Sequence, residues 1–417
     1  MKRQQKVVII GGGIAGLASA CVLAKHFSSV VVVDKDSQIG SAGIRSGAPQ
    51  GAHLHVLLKN GQTILRELMP KVFENIEAKQ CKTIDWAQDT VWENKSGQFP
   101  RYQSEEKTFA FSRGLLEAEL FAAVRSLENV SFIHAQALEF ARVSEKVQSV
   151  KIDNGPTIEA DLFIFAAGAQ AKLSALLNIP LNSETTDIDI TYYSARFNSN
   201  TVNLPNCSQY YYQADPTIES IGGVISPIED NLTVATLIEF GQKPARIFDQ
   251  SGFLAKSMQL PNLDFFSSVM KAKIQGSVHC FHKKTMARIT PRAYQKLPDN
   301  LFVIGDALLS LNPVFGQGMT SALLQIRELK TQLQSQKKLN SKFFHKAALK
   351  LTNTAFAMSK AGSMDRRYYI KRYLDGYLKL AGHSQLHHQR FLKVLHLERG
   401  PFSLFNARVA IKAIRII

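Results

Sequence analysis

The chain opens on a short β-branched run, Lys6-Val7-Val8-Ile9-Ile10, that ends directly in Gly11-Gly12-Gly13-Ile14-Ala15-Gly16. A helical stretch follows from Leu17 to Phe27, then a second valine-rich run, Val30 to Val33, closing on Asp34. Strand, G-x-G-x-x-G turn, helix and second strand with a terminal acid form a βαβ unit suited to a dinucleotide. Gly11 permits the tight turn, Gly13 lets backbone approach a pyrophosphate, and Gly16 lets the helix pack closely on the strand. Ile14 and Ala15 open the helix, whose free N–H groups and dipole favour an anion. Asp34, followed by Lys35, stands where a carboxylate meets the hydroxyls of an adenosine ribose. The 417 residues leave room for further domains around this unit.

A second strand-and-glycine pattern lies far downstream. Asn300 to Ile304 reads as a strand ending in Gly305-Asp306, and Asn312-Pro313-Val314-Phe315-Gly316-Gln317-Gly318-Met319 then feeds a helix from Thr320 to Gln334. A Gly-rich loop entering a helix presents backbone N–H donors to an electron-rich cofactor edge. Here the sequence resembles the FAD-dependent monooxygenases of the p-hydroxybenzoate hydroxylase type. The resemblance implies that Asp306 contacts the ribityl chain and that Pro313, Gly316 and Gly318 back the isoalloxazine ring. Two more segments extend it. Ile44-Arg45-Ser46-Gly47-Ala48-Pro49-Gln50-Gly51-Ala52-His53-Leu54-His55 is similar to a loop of the branch containing polyether-type olefin epoxidases, implying Arg45 near the FAD phosphates. Ser112-Arg113-Gly114-Leu115-Leu116 is similar to the family's S-R-x-x-L segment, whose arginine reaches FAD.

One segment departs from the family pattern. Where the hydroxylases carry G-A-D-G, this chain has Ala166-Ala167-Gly168-Ala169, so Gly168 is present and the acid is not. Electrons are therefore expected from NAD(P)H bound in another geometry or from a partner flavin reductase. No second G-x-G-x-x-G and no C-x-x-C exist, which argues against a two-nucleotide disulfide reductase, and no W-x-W-x-I-P supports a tryptophan halogenase. His53 and His55 lack a companion ligand cluster, so no metal is expected.

Between the motifs, Asp187–Phe197, Gln209–Gln213, Ile218–Ile225 and Asn231–Phe240 read as antiparallel strands separated by turn residues. Tyr192, Tyr193, Tyr210, Tyr211 and Tyr212 promise an aromatic wall, of which alternation lets only some face one side. No acid, base or nucleophile constellation appears. That fits chemistry carried by a reduced flavin, O2 and a C4a-hydroperoxide, with the protein excluding water and orienting substrate.

The total charge of +16 is lopsided: residues 330–417 hold 18 lysines and arginines against Asp365, Asp375 and Glu398, hence +15. The tail reads as helices over Ser341–Lys360, Met364–Leu380, Leu386–Glu398 and Phe402–Ile417, with Arg408, Lys412 and Arg415 on one face. Such a tail suits an anionic phospholipid surface or an acidic carrier protein, or forms a solvated face; no motif supports nucleic acid. Four scattered cysteines fit a reducing compartment, no run of about 18 apolar residues exists, and Val7–Ile10 is short for a secretory leader. A cytoplasmic protein, free or peripheral to the membrane, is expected.

The expected fold is a mixed α/β (α+β) chain. A discontinuous Rossmann-like FAD-binding domain (1–75, 105–180, 285–335) receives an inserted antiparallel β-sheet substrate domain (76–104, 181–284). A basic helical C-terminal region (336–417) follows. The expected function is FAD-dependent insertion of one oxygen atom into an apolar, polyketide- or isoprenoid-like substrate, by epoxidation or ring hydroxylation. Two alternatives stand beside it: a C=C reductase similar to geranylgeranyl reductases, and a non-catalytic flavin-binding protein with a basic docking surface.

Overall fold

In the computed structural model, the residues described are 3–37, 49–153, 155–169, 172–204, 206–241, 247, 249–335, 339–363 and 369–414. The first βαβ unit builds the centre of a five-stranded sheet. Strand Arg3–Ile10 lies between Phe27–Asp34 and Leu162–Phe165, flanked outside by Val130–His134 and Leu301–Val303, and all four pairings are parallel. Val7, Val8 and Ile9 are wholly buried because helices cover a parallel sheet on both faces, so the strand reads as an unbroken apolar run. Helix Ile14–Leu23 packs against helices Arg113–Arg125 and Gly318–Gln334. It stops four residues before the expected Phe27, which already opens the second strand opposite Arg3.

The middle region forms a second sheet of eight strands. Its spine is two 16-residue strands, Ser183–Asn198 and Ile274–Ile289, paired antiparallel. The second of these is not visible in the sequence, because its half-exposed IQGSVHCFHKKTMARI shows no apolar alternation. Strand Gln209–Gln213 lies where expected, yet pairs in parallel with Thr90–Asn94, the one departure from an antiparallel sheet among the described pairings. The tyrosines split by alternation. Tyr193, Tyr210 and Tyr212 enter the core beneath helices Gln250–Ser257 and Asp264–Val269, while Tyr192 and Tyr211 face the opposite side, among Leu309, Leu311 and Phe356.

The tail is helical but more divided than expected. Ser341–Leu351 and Asn353–Gly362 are separate helices, meeting at Thr352, whose hydroxyl donates back to the Ala348 carbonyl at 2.8 Å. Phe344 and Ala348 of the first belong to the core of the parallel-sheet unit. Helices Tyr369–Gly382, Gln385–Leu395 and Ala407–Ile414 lie over Trp86, Trp92 and Phe99. Of the expected basic trio only the Arg408 side chain is described, and it is exposed. No helix among the described residues is long and apolar enough to cross a membrane.

Candidate functional site

Both glycine motifs end at the carboxyl edge of the parallel sheet, where such folds bind ligands. Gly11 has φ +108° and donates its N–H to the Val33 carbonyl at 2.8 Å. A methyl there would stand 2.4 Å from the Ala166 carbonyl oxygen, and one on Gly16 would stand 1.8 Å from the Gly11 oxygen. Helix Ile14–Leu23 therefore starts hard against the turn. Its start carries no side-chain cap and no acid, which leaves N–H donors for an anion. Gly13 and Ala15 are half-exposed among buried neighbours and mark the open side. The Asp34 carboxylate accepts the Gly12 N–H and, at 2.7 Å, the Asp36 N–H, which holds it over the glycine turn. The Lys35 side chain is exposed.

The downstream motif meets the first directly. Gly305, at φ +70°, donates its N–H to Gln325 Oε1 at 2.8 Å. A methyl on Gly305 would lie 2.8 Å from Ala15 Cβ. Asp306 beside it is exposed. Pro313–Phe315 forms one 3-10 turn, capped by Asn312 accepting the Val314 N–H at 3.1 Å and released by Gly316 at φ +64°. Helix Gly318–Gln334, with buried Met319 in its first turn, also starts without a side-chain cap, and Gly318 would carry a methyl 3.9 Å from Asp306 Oδ1. Two uncapped helix starts and the Asp34 and Asp306 carboxylates beside the glycine turns fit FAD, whose pyrophosphate and electron-rich ring edge need N–H donors and whose sugar hydroxyls need acceptors.

The remaining expected residues lie nearby or outside the described structure. Gly168, at φ +81°, follows strand Leu162–Phe165, with exposed Ala167 at the position of the missing acid. Arg113 opens its helix and pairs with Glu117 at 2.8 Å rather than standing free, and His55 lies within reach of its charge. Loss of water, then Arg113, lowers the His55 pKa to about 4. Ser112 caps this helix by accepting the Leu115 N–H at 3.1 Å. Arg45 lies outside the described residues.

Two further side chains enter the site, Lys283 from the long strand Ile274–Ile289 and His53 from the segment after the turn Pro49–Ala52. Lys283 donates to Ser310 Oγ at 2.8 Å and to the Leu311 carbonyl at 2.7 Å, so it tethers the segment between Asp306 and the 3-10 turn. Burial lowers its pKa against the upward pull of Asp306. Nothing in the local sequence marks Lys283, because its role comes from the pairing of Ile274–Ile289 with Leu309–Ser310. His53 is buried with Nδ1 2.7 Å from Ser194 Oγ, and Ser194 is 2.6 Å from Thr236 Oγ1. Its ring sits 5.8 Å from Tyr192 and 5.9 Å from Phe281, and Nε2 has no hydrogen-bond partner among the described residues. Burial, then His55 and His279, pushes its pKa down to about 3, so it is neutral in use. No metal-holding group of three or more ligands occurs among the described residues.

A cavity of about 140 Å³ adjoins the turn Pro313–Phe315. Val314 and Phe315 form one wall, Ile188 and Ile190 another, and Leu374 and Phe391 of the tail a third. Lys371 and Asp375 line one end, where Lys95, Asp215, Asp375 and Lys371 alternate in one charge network.

Known proteins resemble this chain in sequence and in fold. The family model described as FAD dependent oxidoreductase matches residues 6–324. Protein Rv3254 of Mycobacterium tuberculosis is 28% identical over 406 residues, covering 90% of this chain and 83% of that protein. The mitochondrial ubiquinone biosynthesis monooxygenase COQ6 of Caenorhabditis elegans is 23% identical over 349 residues, 75% of each chain. The fold is shared with the flavin-dependent brominase Bmp2 (TM-score 0.71, 16% identity, 99% of each chain). It is shared also with CtdE, solved with FAD and a substrate (TM-score 0.61, 14% identity, 99% and 98% covered).

Proposed function

Because the chain belongs to the FAD-dependent oxidoreductase family, we propose that it is a monooxygenase transferring one oxygen atom of O2 to an alkene or electron-rich ring of an apolar substrate. The observation that carries this is the cavity itself, which sets apolar side chains against the ring-side turn Pro313–Phe315. The worm relative's name, a monooxygenase of ubiquinone biosynthesis, supports oxygenation of an isoprenoid-like molecule. The epoxidase branch is favoured by the Arg45–His55 segment.

Bound FAD supplies the redox chemistry and the activation of O2. The chain's residues hold and shield it. Gly11, Gly13, Ile14, Ala15 and Gly16 seat the pyrophosphate, with Arg113 adding positive charge; Arg45, expected there from the resemblance, lies outside the described residues. Asp34 and Lys35 meet the adenosine ribose, and Gly168 opens the adjoining loop. Gly305 and Asp306 take the ribityl chain, and Pro313, Gly316, Gly318 and Met319 back the ring. Neutral His53 offers Nε2 as a hydrogen-bond acceptor or donor, depending on its tautomer, beside Tyr192. Phe315, Ile188 and Phe391 keep water from the substrate. With Ala167 where the family acid stands, electrons come from NAD(P)H in another geometry or from a flavin reductase.

The test is to reduce the flavin-loaded protein with dithionite under argon and mix it with 18O2 and candidate alkenes or phenols. A transient near-ultraviolet band before the oxidised spectrum, with 18O in the product, is expected. Featureless reoxidation with every substrate and no label would overturn the proposal, and turnover without O2 would establish the C=C reductase instead.

A further inference from the structure

The outward face of the C-terminal helices differs from the rest of the surface. Of the large apolar side chains that stand exposed, eight fall between Phe343 and Ile411, and Phe402 (91% exposed) and Phe405 (67%) lead them. These two flank buried Leu404 on the turn after Gly400-Pro401. The turn lies across helix Gln385–Leu395, and Tyr373 of helix Tyr369–Gly382 clamps it by donating to the Leu404 carbonyl at 2.7 Å and accepting the Asn406 N–H at 2.8 Å. The aromatic rings are thus held outward by a fixed scaffold.

The charges of this segment are sorted by side. Its two described acids are both engaged in ion pairs: Asp375 with Lys95 and Lys371, Glu398 with Lys59. Lys379, Arg390, Arg399 and Arg408 are exposed and make no ion pair among the described residues. A layer bearing outward aromatics and exposed cations that make no ion pair among the described residues, with its two described acids already paired, complements one surface chemistry, an anionic layer over hydrocarbon. An acidic protein would match the cations but leave Phe402 and Phe405 without an apolar bed.

We propose that the C-terminal helical layer docks the protein on an anionic phospholipid bilayer, with Phe402 and Phe405 entering the headgroup boundary and the arginines pairing with phosphates. The inner side of the same layer, through Leu374, Leu378, Phe391 and Leu404, lines the cavity beside the ring-side turn. Docking therefore brings an apolar substrate dissolved in the bilayer to the helices that cover its site. That last clause rests on the oxygenase proposal; docking itself does not.

The experiment is co-sedimentation of the full flavin-loaded chain with vesicles of phosphatidylcholine alone or with two-fifths phosphatidylglycerol. Binding to the anionic vesicles only, weakened by salt, is expected. Phe402→Asp with Phe405→Asp should lower the partition coefficient at least tenfold, and Arg399→Glu with Arg408→Glu should do the same, with unchanged flavin content and circular dichroism. Absent binding, equal binding to both vesicle types, or full binding by both double variants would overturn the proposal. Because no turnover is involved, its failure is distinct from a failure of the oxygenase test.

Discussion

Gly305 and Ala15 touch across the flavin-type fold: a methyl on Gly305 would stand 2.8 Å from Ala15 Cβ, and the Gly305 backbone already sits at φ +70°. The turn after the last parallel strand thus closes on the first helix, which brings Asp306 beside the first glycine turn. Gly305→Ala incurs both left-handed backbone strain and the clash. It should cost about 2 kcal/mol of stability and most of the bound flavin. Thermal melts and flavin absorbance of the purified variant check this.

Asp306→Ala should behave differently. The side chain is exposed, so the empty chain should melt within a degree or so of wild type. Loss of a charge-assisted contact to the ribityl hydroxyls should weaken FAD by roughly tenfold to a hundredfold. Fluorescence titration of the flavin-free protein measures it, and unchanged affinity would remove Asp306 from the site.

Lys283→Met should leave Ser310 Oγ and the Leu311 carbonyl without their donor and free the segment leading to the 3-10 turn. The expected cost is about 1–3 kcal/mol. Taking a cation from beside Asp306 should also lower the flavin reduction potential, because the reduced ring is the more negative form. A potentiometric titration distinguishes this from a purely structural loss.

Gly362→Ala tests the cavity wall. A methyl at Gly362 would meet the Phe315 ring tip at 2.4 Å. The ring is the flexible partner, so it should swing into the cavity while the fold persists. Substrate KM should rise several-fold with FAD content unchanged. A variant with altered flavin content and normal KM would contradict the assignment.

Stability should fall on acidification. Burial holds His53, His345 and His396 near a pKa of about 3 and His388 near about 4. The unfolded chain protonates these rings below about pH 6.5 while the folded one does not, so each costs roughly 1.4 kcal/mol per pH unit as pH drops toward its folded pKa. Glu106 runs the other way. Burial, then Glu398, raises its pKa to about 7, so its contribution is full below the unfolded value near 4.5 and is lost as pH rises through 7. Melting temperature should therefore peak near neutrality and fall more steeply on the acid side. His388→Phe, which removes a ring stacked on Phe99 whose two buried nitrogens have no hydrogen-bond partner among the described residues, should raise stability at pH 5 more than at pH 7.

The βαβ unit was legible because each of its features is local. A buried parallel strand must be apolar throughout, a pyrophosphate turn must lack side chains, and both demands fall on consecutive residues. The strands at 209–213 and 232–240 were legible for the same reason. Ile274–Ile289 was not, since it is half-exposed without apolar alternation and its extended form comes from pairing with Ser183–Asn198. Lys283, the His53–Ser194–Thr236 chain and the cavity under the tail were hidden likewise, each being a meeting of segments distant in the chain. The sequence by itself determined that a dinucleotide turn exists, that a second glycine loop answers it, and that the cations gather at the end, because backbone freedom, apolar runs and net charge are properties of contiguous residues. Only the tertiary structure decided where the carboxylates of the site stand, that Asp375 and Glu398 of the tail are paired while Lys379, Arg390, Arg399 and Arg408 make no ion pair among the described residues, and that the tail roofs the cavity, because burial and charge pairing are set by neighbours in space.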